Sequence, residues 1–179
     1  SALDPARREE ILPWLERLRD QARLPMLYVS HAPSEIARLA DSVVILEHGR
    51  LRGAGPVEEQ FALVQALDPE GPGVLLRGTV ATIDPQDRLA CVGFDGGQVW
   101  MRDEGLRVGQ AVRLRLLARD ISLTLQEPQG SSIQNHWPGV VESLMPAAHP
   151  SQVQVVLRCG DSRLQAQVTG RAVRLLGLA

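Results

Sequence analysis

Lysine is missing from this chain: all 19 basic residues among its 179 are arginine. A complete phosphate-binding P-loop, a Schiff-base site and a Ser-Lys dyad each need a lysine, so none of them is encoded here. Aromatic residues are scarce, at 3% of the chain, so any core must be built from Leu, Val, Ala and Ile. Two cysteines, Cys91 and Cys159, are too few for a disulfide framework or a metal site of repeated Cys-x-x-Cys spacing. A reducing, cytosolic setting fits that usage. No apolar run reaches the roughly 18 residues that a membrane helix needs, and the opening Ser1-Ala2-Leu3-Asp4 has no apolar stretch of signal-peptide type. Charge of either sign is not in excess: 19 basic against 21 acidic residues leave a net −2. A nucleic-acid binder normally shows a basic surplus, so nucleic acid is not an expected partner.

What remains is globular in composition, 44% hydrophobic and 22% charged. Asp4-Pro5 reads as a helix start, an acceptor side chain followed by a residue pre-set for the first helical position. Almost nothing precedes it, which predicts that the sequence is part of a longer protein. Ile11, Leu12, Leu15, Leu18 and Ala22 recur near helical period, with Arg7, Arg8, Glu9, Glu10, Glu16 and Arg17 mostly off that face. Pro13 is expected to bend this helix and Pro25 to end it. Met26 to Ser30 reads as a buried, parallel strand, and a second helix follows Pro33 with Ile36, Leu39 and Ala40 inward. Ser42 to Leu46 reads as another buried strand, His48-Gly49-Arg50 as a turn, Leu51 to Ala54 as a return strand and Val57 to Leu67 as a helix. The alternation predicts an α/β layer with parallel pairing.

Asp68-Pro69-Glu70-Gly71-Pro72-Gly73 can neither continue a helix nor enter a central strand. Beyond it the pattern becomes all-β. Short strands are predicted at Val74–Ile83, Arg88–Phe94, Gln98–Arg102, Ala111–Leu117 and Ile121–Leu125, then at Val140–Met145, Val153–Cys159 and Arg163–Val168, before a short helix at Gly170–Leu176. The fold class is thus α/β followed by all-β, with a small barrel or sandwich in the second part. The divisions are 1–68, a linker at 69–73, a β-rich region at 74–126 and a final domain at 127–179. Cys91 and Cys159 read as core thiols, Met145 as core, and Trp100 and Trp137 as packing residues.

The ordered motifs carry a resemblance. Ser1-Ala2-Leu3-Asp4 is similar to the D-loop of ABC-transporter ATPase domains, and Leu27-Tyr28-Val29-Ser30-His31 to the strand that ends in their switch histidine. Glu35, then Leu39-Ala40-Asp41-Ser42-Val43-Val44-Ile45-Leu46 and Gly49-Arg50, match the helix, strand and turn that follow. The wording Ile11-Leu12-Pro13-Trp14-Leu15-Glu16-Arg17-Leu18 most resembles the ATP-binding subunits of bacterial molybdate importers. In the β-rich part, Ala118 to Leu125, Pro128, Ser131-Ser132-Ile133-Gln134-Asn135, Gly139-Val140-Val141 and Leu164 to Thr169 resemble a Mop, or TOBE-type, oxyanion-binding domain.

The resemblance implies a partial ABC-ATPase α/β layer plus a small OB-like/TOBE β-barrel regulatory region. It implies a parent that hydrolyses ATP with Mg2+ to drive molybdate uptake, with molybdate or tungstate as regulatory ligand. The implied partners are a second ATPase subunit in a homodimer, a membrane-spanning permease and, indirectly, a periplasmic molybdate-binding protein. The implied location is peripheral, on the cytoplasmic face of the bacterial inner membrane. His31 would donate to the γ-phosphate, Ser1 and Asp4 would meet the opposing subunit, and Ser131, Ser132 and Asn135 would bind a tetrahedral oxyanion through neutral donors. No metal site is expected.

The residues alone also allow a plain strand-end histidine at 31, a helix cap at Asp4 and an ordinary Ser-rich turn at 131–135. Walker A, the Q-loop, the signature motif and the Walker B carboxylates are not in the sequence, and the family's last strand would follow Leu178-Ala179. By this reading the chain alone does not hydrolyse ATP, and its final domain stops early. Two other functions stay open: the ATPase subunit of a sulfate, sugar or polyamine importer, and a non-catalytic oligomerisation or anion-binding module.

Overall fold

A computed structural model describes residues 5–22, 25–65 and 71–179. The chain divides into two compact units, Ser1–Pro69 and Glu70–Ala179. Ser1 and Asp4 lie outside the described residues, as do residues 69 and 70 of the expected linker.

The first unit runs α1 (Pro5–Ala22), α2 (Pro33–Leu39), β1 (Ser42–Glu47), β2 (Arg50–Pro56) and α3 (Val57–Gln65). Helix α1 continues through Pro13; of its expected apolar face Leu12 is buried and Leu15 half-buried, while Ile11 and Leu18 are exposed. Glu16 of α1 takes both Arg38 nitrogens of α2, at 2.7 and 3.2 Å, in the two-pronged geometry that a guanidinium favours. Strands β1 and β2 form an antiparallel hairpin. Its turn, His48-Gly49, holds both residues at positive φ (49° and 74°), which matches the twist of a hairpin. The buried apolar residues among those described in this unit are Leu12, Ala37, Leu39, Val43, Val57, Phe61 and Val64.

Three expectations for this unit are corrected. Residues 25–30 form no strand, and Leu27 and Val29 are 94% and 89% exposed. A strand exists only within a ladder, and no described strand lies beside this segment to complete its hydrogen bonds. The expected parallel pairing is not found among the described residues, whose sheet in this unit is the antiparallel β1–β2 hairpin. Ser42–Leu46 is accordingly not a buried strand: Val43 is covered, but Val44 and Leu46 face solvent.

The second unit contains two antiparallel meanders. The first is β3 (Gly73–Asp84), β4 (Leu89–Phe94) and β5 (Gly97–Arg102), with β6 (Ala111–Leu117) on the outer side of β3, giving the order β5-β4-β3-β6. The second is β7 (Val140–Pro146), β8 (Gln152–Cys159) and β9 (Ser162–Thr169), followed by α4 (Gly170–Leu176). Both are open sheets. Helix α4 begins with the Thr169 hydroxyl accepting the Ala172 N–H at 3.1 Å and ends at Gly177 in the left-handed conformation.

The two meanders repeat one another residue by residue. Thr79, Val80, Thr82 and Ile83 pair with Gly93, Val92, Cys91 and Ala90, skipping Ala81 as a bulge. Val140, Val141, Ser143 and Leu144 pair with Arg158, Leu157, Val156 and Val155, skipping Glu142 at the equivalent place. A bulge bends and twists a strand, so the same bulge at the same register gives both sheets the same curl. Three buried residues also correspond: Ala90, Val92 and Val99 in one core, Val155, Leu157 and Leu164 in the other.

The cores are joined by exchange. Val74 and Leu76, at the start of β3, pack against the second core, while Trp137, just ahead of β7, packs against the first. The two hairpin tips also meet. A Cβ on Gly160, which has φ +56°, would sit 2.3 Å from the Asp95 carbonyl oxygen, so this contact admits only glycine.

Ile121–Leu125 is not a strand. A 3-10 turn at Ala118–Asp120 ends β6, and the segment beyond it has no ladder partner. The alternation that suggested a strand is still used, because Ile121 and Leu123 turn into the second core while Ser122 and Thr124 face out. Met145 is exposed rather than core, since it lies on the far face of β7.

Candidate functional site: a histidine loop and a donor-lined groove

In the first unit, the extended residues 25–30 lead to a bend at His31, and Pro33 opens α2 with its φ already helical. The imidazole of His31 is exposed. The loop around it is braced by Glu35, whose residue is 6% exposed. The Tyr28 hydroxyl donates to Glu35 Oε2 at 2.9 Å, and the Ser30 hydroxyl donates to the same oxygen. Ser30 Oγ in turn accepts the Ala32 N–H at 3.0 Å, so the hydroxyl satisfies a nearby backbone group as the sequence suggests. The Ala32 carbonyl accepts the N–H groups of Glu35 and Ile36 at 3.1 and 3.2 Å. One buried carboxyl therefore ties together both sides of His31. Sequence reasoning placed Glu35 on a helix and missed this contact. The available signal was an acidic residue in the first turn of a helix, just after a Tyr-x-Ser segment.

In the second unit a groove of about 1060 Å³ runs between the segment after β6 and the segment ahead of β7. Leu116, Ile121, Ser132, Asn135, Trp137 and Leu164 are among the residues that line it. Ser131 is not. Its Oγ accepts the Ile133 N–H at 3.1 Å, closing a small side-chain turn. The structure therefore brings Ser132 and Asn135 to one groove and leaves Ser131 at its approach.

Asn135 is occupied in part. Its Oδ1 accepts the Trp100 N–H at 2.8 Å and its Nδ2 donates to the Trp100 carbonyl at 3.0 Å. The side-chain amide thereby pairs with β5 as a neighbouring strand would, which blunts an exposed edge. Trp137 completes the cover, donating from Nε1 to the Gln98 carbonyl at 2.7 Å and meeting Phe94 edge to face at 5.5 Å. Gly97, with φ +141°, leaves room for the indole: a Cβ there would lie 2.8 Å from Trp137 Cδ1.

The remaining candidates are peripheral. Arg119 and Arg171 are exposed, and Arg119 lies 3.8 Å from Asp120. Cys91 and Cys159 are buried free thiols, and burial pushes the Cys159 thiol up from its ordinary 9.0. Among the described residues, no three His, Cys, Asp or Glu side chains come together as a metal site, and no helix is long and apolar enough to cross a membrane.

A family model described as TOBE domain matches residues 131–179, which include the second of the two segments that line the groove. The matched stretch takes in the second meander, α4 and the arm carrying Asn135 and Trp137. Over its whole length the chain is similar to the C-terminal halves of proteins named molybdenum import ATP-binding protein ModC. That of Thiobacillus denitrificans is 45% identical over 181 residues, covering 100% of this chain and 50% of the relative. That of Methylococcus capsulatus is 42% identical over 180 residues, covering 99% and 51%. That of Brucella abortus is 42% identical over 179 residues, covering 100% and 49%. The chain spans about half the length of the relatives it matches.

Proposed function

We propose that this chain is the C-terminal part of the ATP-binding subunit of a bacterial molybdate importer. The observation that supports it most is the similarity of the whole chain to ModC proteins, beside a histidine loop (Tyr28, Ser30, His31 and Glu35) that precedes the TOBE match in this sequence. In this reading ATP closes two such subunits and moves a membrane-spanning permease, on the cytoplasmic face of the inner membrane. A periplasmic molybdate-binding protein delivers the ion. Ser1 and Asp4 belong to the loop that meets the second subunit.

His31 supplies one element of the chemistry. An exposed imidazole on a braced loop can donate a hydrogen bond to a γ-phosphate oxygen, where charge builds as the phosphoryl group transfers. ATP and Mg2+ need more than this: a phosphate loop with its lysine and a carboxylate for the metal, which the 179 residues do not contain. Those groups come from the rest of the subunit.

The TOBE domain is the regulatory half of the proposal. Ser131 and Ser132 offer hydroxyl donors, and the Asn135 amide has a second N–H beyond the one given to Trp100. Neutral donors of this kind suit a tetrahedral dianion such as molybdate or tungstate. Calorimetric titration with molybdate, with sulfate as competitor, tests it. Saturable binding weakened about tenfold by Ser132→Ala is expected, a loss of about 1.4 kcal/mol. Absence of binding in every oligomeric state removes the sensor role, and preference for sulfate reassigns the importer.

A further inference from the structure

We infer that Glu35 is a positioning residue for His31, acting through Tyr28 and Ser30 rather than by touching the nucleotide. The inference rests on the proposed ATPase reading and adds a residue to it. The His31 loop has little regular structure of its own. Among the described residues of this chain, 25–30 pair with no strand, and α2 begins only at Pro33. A loop of this kind samples many conformations unless side chains fix it. One oxygen of the Glu35 carboxyl accepts both the Tyr28 and the Ser30 hydroxyls. Ser30 passes the constraint to the backbone on the far side of His31 by accepting the Ala32 N–H at 3.0 Å. Glu35 itself is anchored in the opposite sense, its own N–H donating to the Ala32 carbonyl at 3.1 Å. His31 is thus the residue enclosed by a closed circuit of hydrogen bonds, with its ring left outside in solvent.

A carboxyl that is 6% exposed costs free energy to bury unless its bonds are made. A surface ion pair would have served to hold α2 alone, so the buried geometry fits a demand for precision. Misplacing a catalytic group by about 1 Å can cost up to about a hundredfold in rate.

The experiment has two arms. In this chain, hydrogen exchange of the Ala32 amide is followed in the wild type and in Glu35→Ala, Glu35→Gln and Ser30→Ala. Gln keeps an acceptor oxygen at the same reach. The expected result is exchange about tenfold faster in Glu35→Ala and Ser30→Ala, with Glu35→Gln close to wild type. In the full subunit, Glu35→Ala is expected to lower kcat about tenfold at unchanged KM for ATP, with Glu35→Gln restoring it. Adding Glu35→Ala to His31→Ala should change nothing further. Unchanged Ala32 exchange in both Ala variants, or unchanged kcat in Glu35→Ala while His31→Ala is inactive, overturns the positioning role. Full activity in His31→Ala instead overturns the ATPase role of His31, which is a distinguishable failure.

Discussion

Leu76 and Trp137 occupy equivalent places in the two meanders, each three positions ahead of the first residue of the β3–β4 or β7–β8 ladder, and each packs into both cores. One is an aliphatic residue inside a strand, the other an indole on an arm. Both do the same work of joining one sheet to its repeat. The cores of the second unit are therefore expected to unfold as one, since neither can release its shared residue without opening the other.

Trp137 should be the more costly of the two to change. Trp137→Ala is expected to destabilise the chain by about 3–5 kcal/mol, through lost packing and an unpaired Gln98 carbonyl. Trp137→Phe should keep the contact with Phe94 and lose mainly the hydrogen bond, about 1 kcal/mol. Urea melts of both variants check this. A smaller loss in the Ala variant than in the Phe variant would remove the joining role.

Asn135→Ala leaves the N–H and carbonyl of Trp100 without their side-chain partner. The expected cost is about 1–3 kcal/mol, seen as a lowered Tm, whereas Ser132→Ala at an exposed position should leave Tm unchanged. Equal melting of the two variants would show that the amide clamp contributes nothing.

Gly160→Ala combines a positive φ with a contact against backbone. Its methyl group would meet the Asp95 carbonyl oxygen at 2.3 Å, and neither partner is a flexible side chain. A loss above about 1 kcal/mol is expected, measured by denaturant midpoint. A neutral substitution would mean that the hairpin tips do not touch.

Alkaline stability should depend on Cys159. Burial raises the folded thiol above its ordinary 9.0, so the folded state holds the proton more tightly than the unfolded chain. The contribution is fully present below 9.0 and is lost as pH rises through the higher folded value. Urea midpoints at about pH 8 and about pH 10.5 should fall less in Cys159→Ala than in the wild type. Identical falls would show that another group carries the alkaline transition.

Much of the second unit was legible because local pattern and final environment agree. Ala111–Leu117 alternates Val112, Leu114 and Leu116 inward with arginines between them, and Gly170–Leu176 follows a capping threonine. The failures share a cause. Met26–Ser30 and Ile121–Leu125 have the composition of strands, but composition cannot say whether a neighbour exists to complete the ladder. The duplication was hidden because the two copies conserve pattern, not identity: Thr79 corresponds to Val140 and Cys91 to Val156. The candidate site was half legible. His31 and Ser132 could be picked from residue type and place, but the Asn135 clamp on Trp100 spans 35 positions, and no local rule predicts it.

Because the two meanders are copies within one polypeptide, a substitution at Val80 has no automatic twin at Val141. Two identical subunits around a symmetry axis would suffer every such change twice. A single chain can let its halves drift apart, one specialising for a ligand while the other preserves the scaffold.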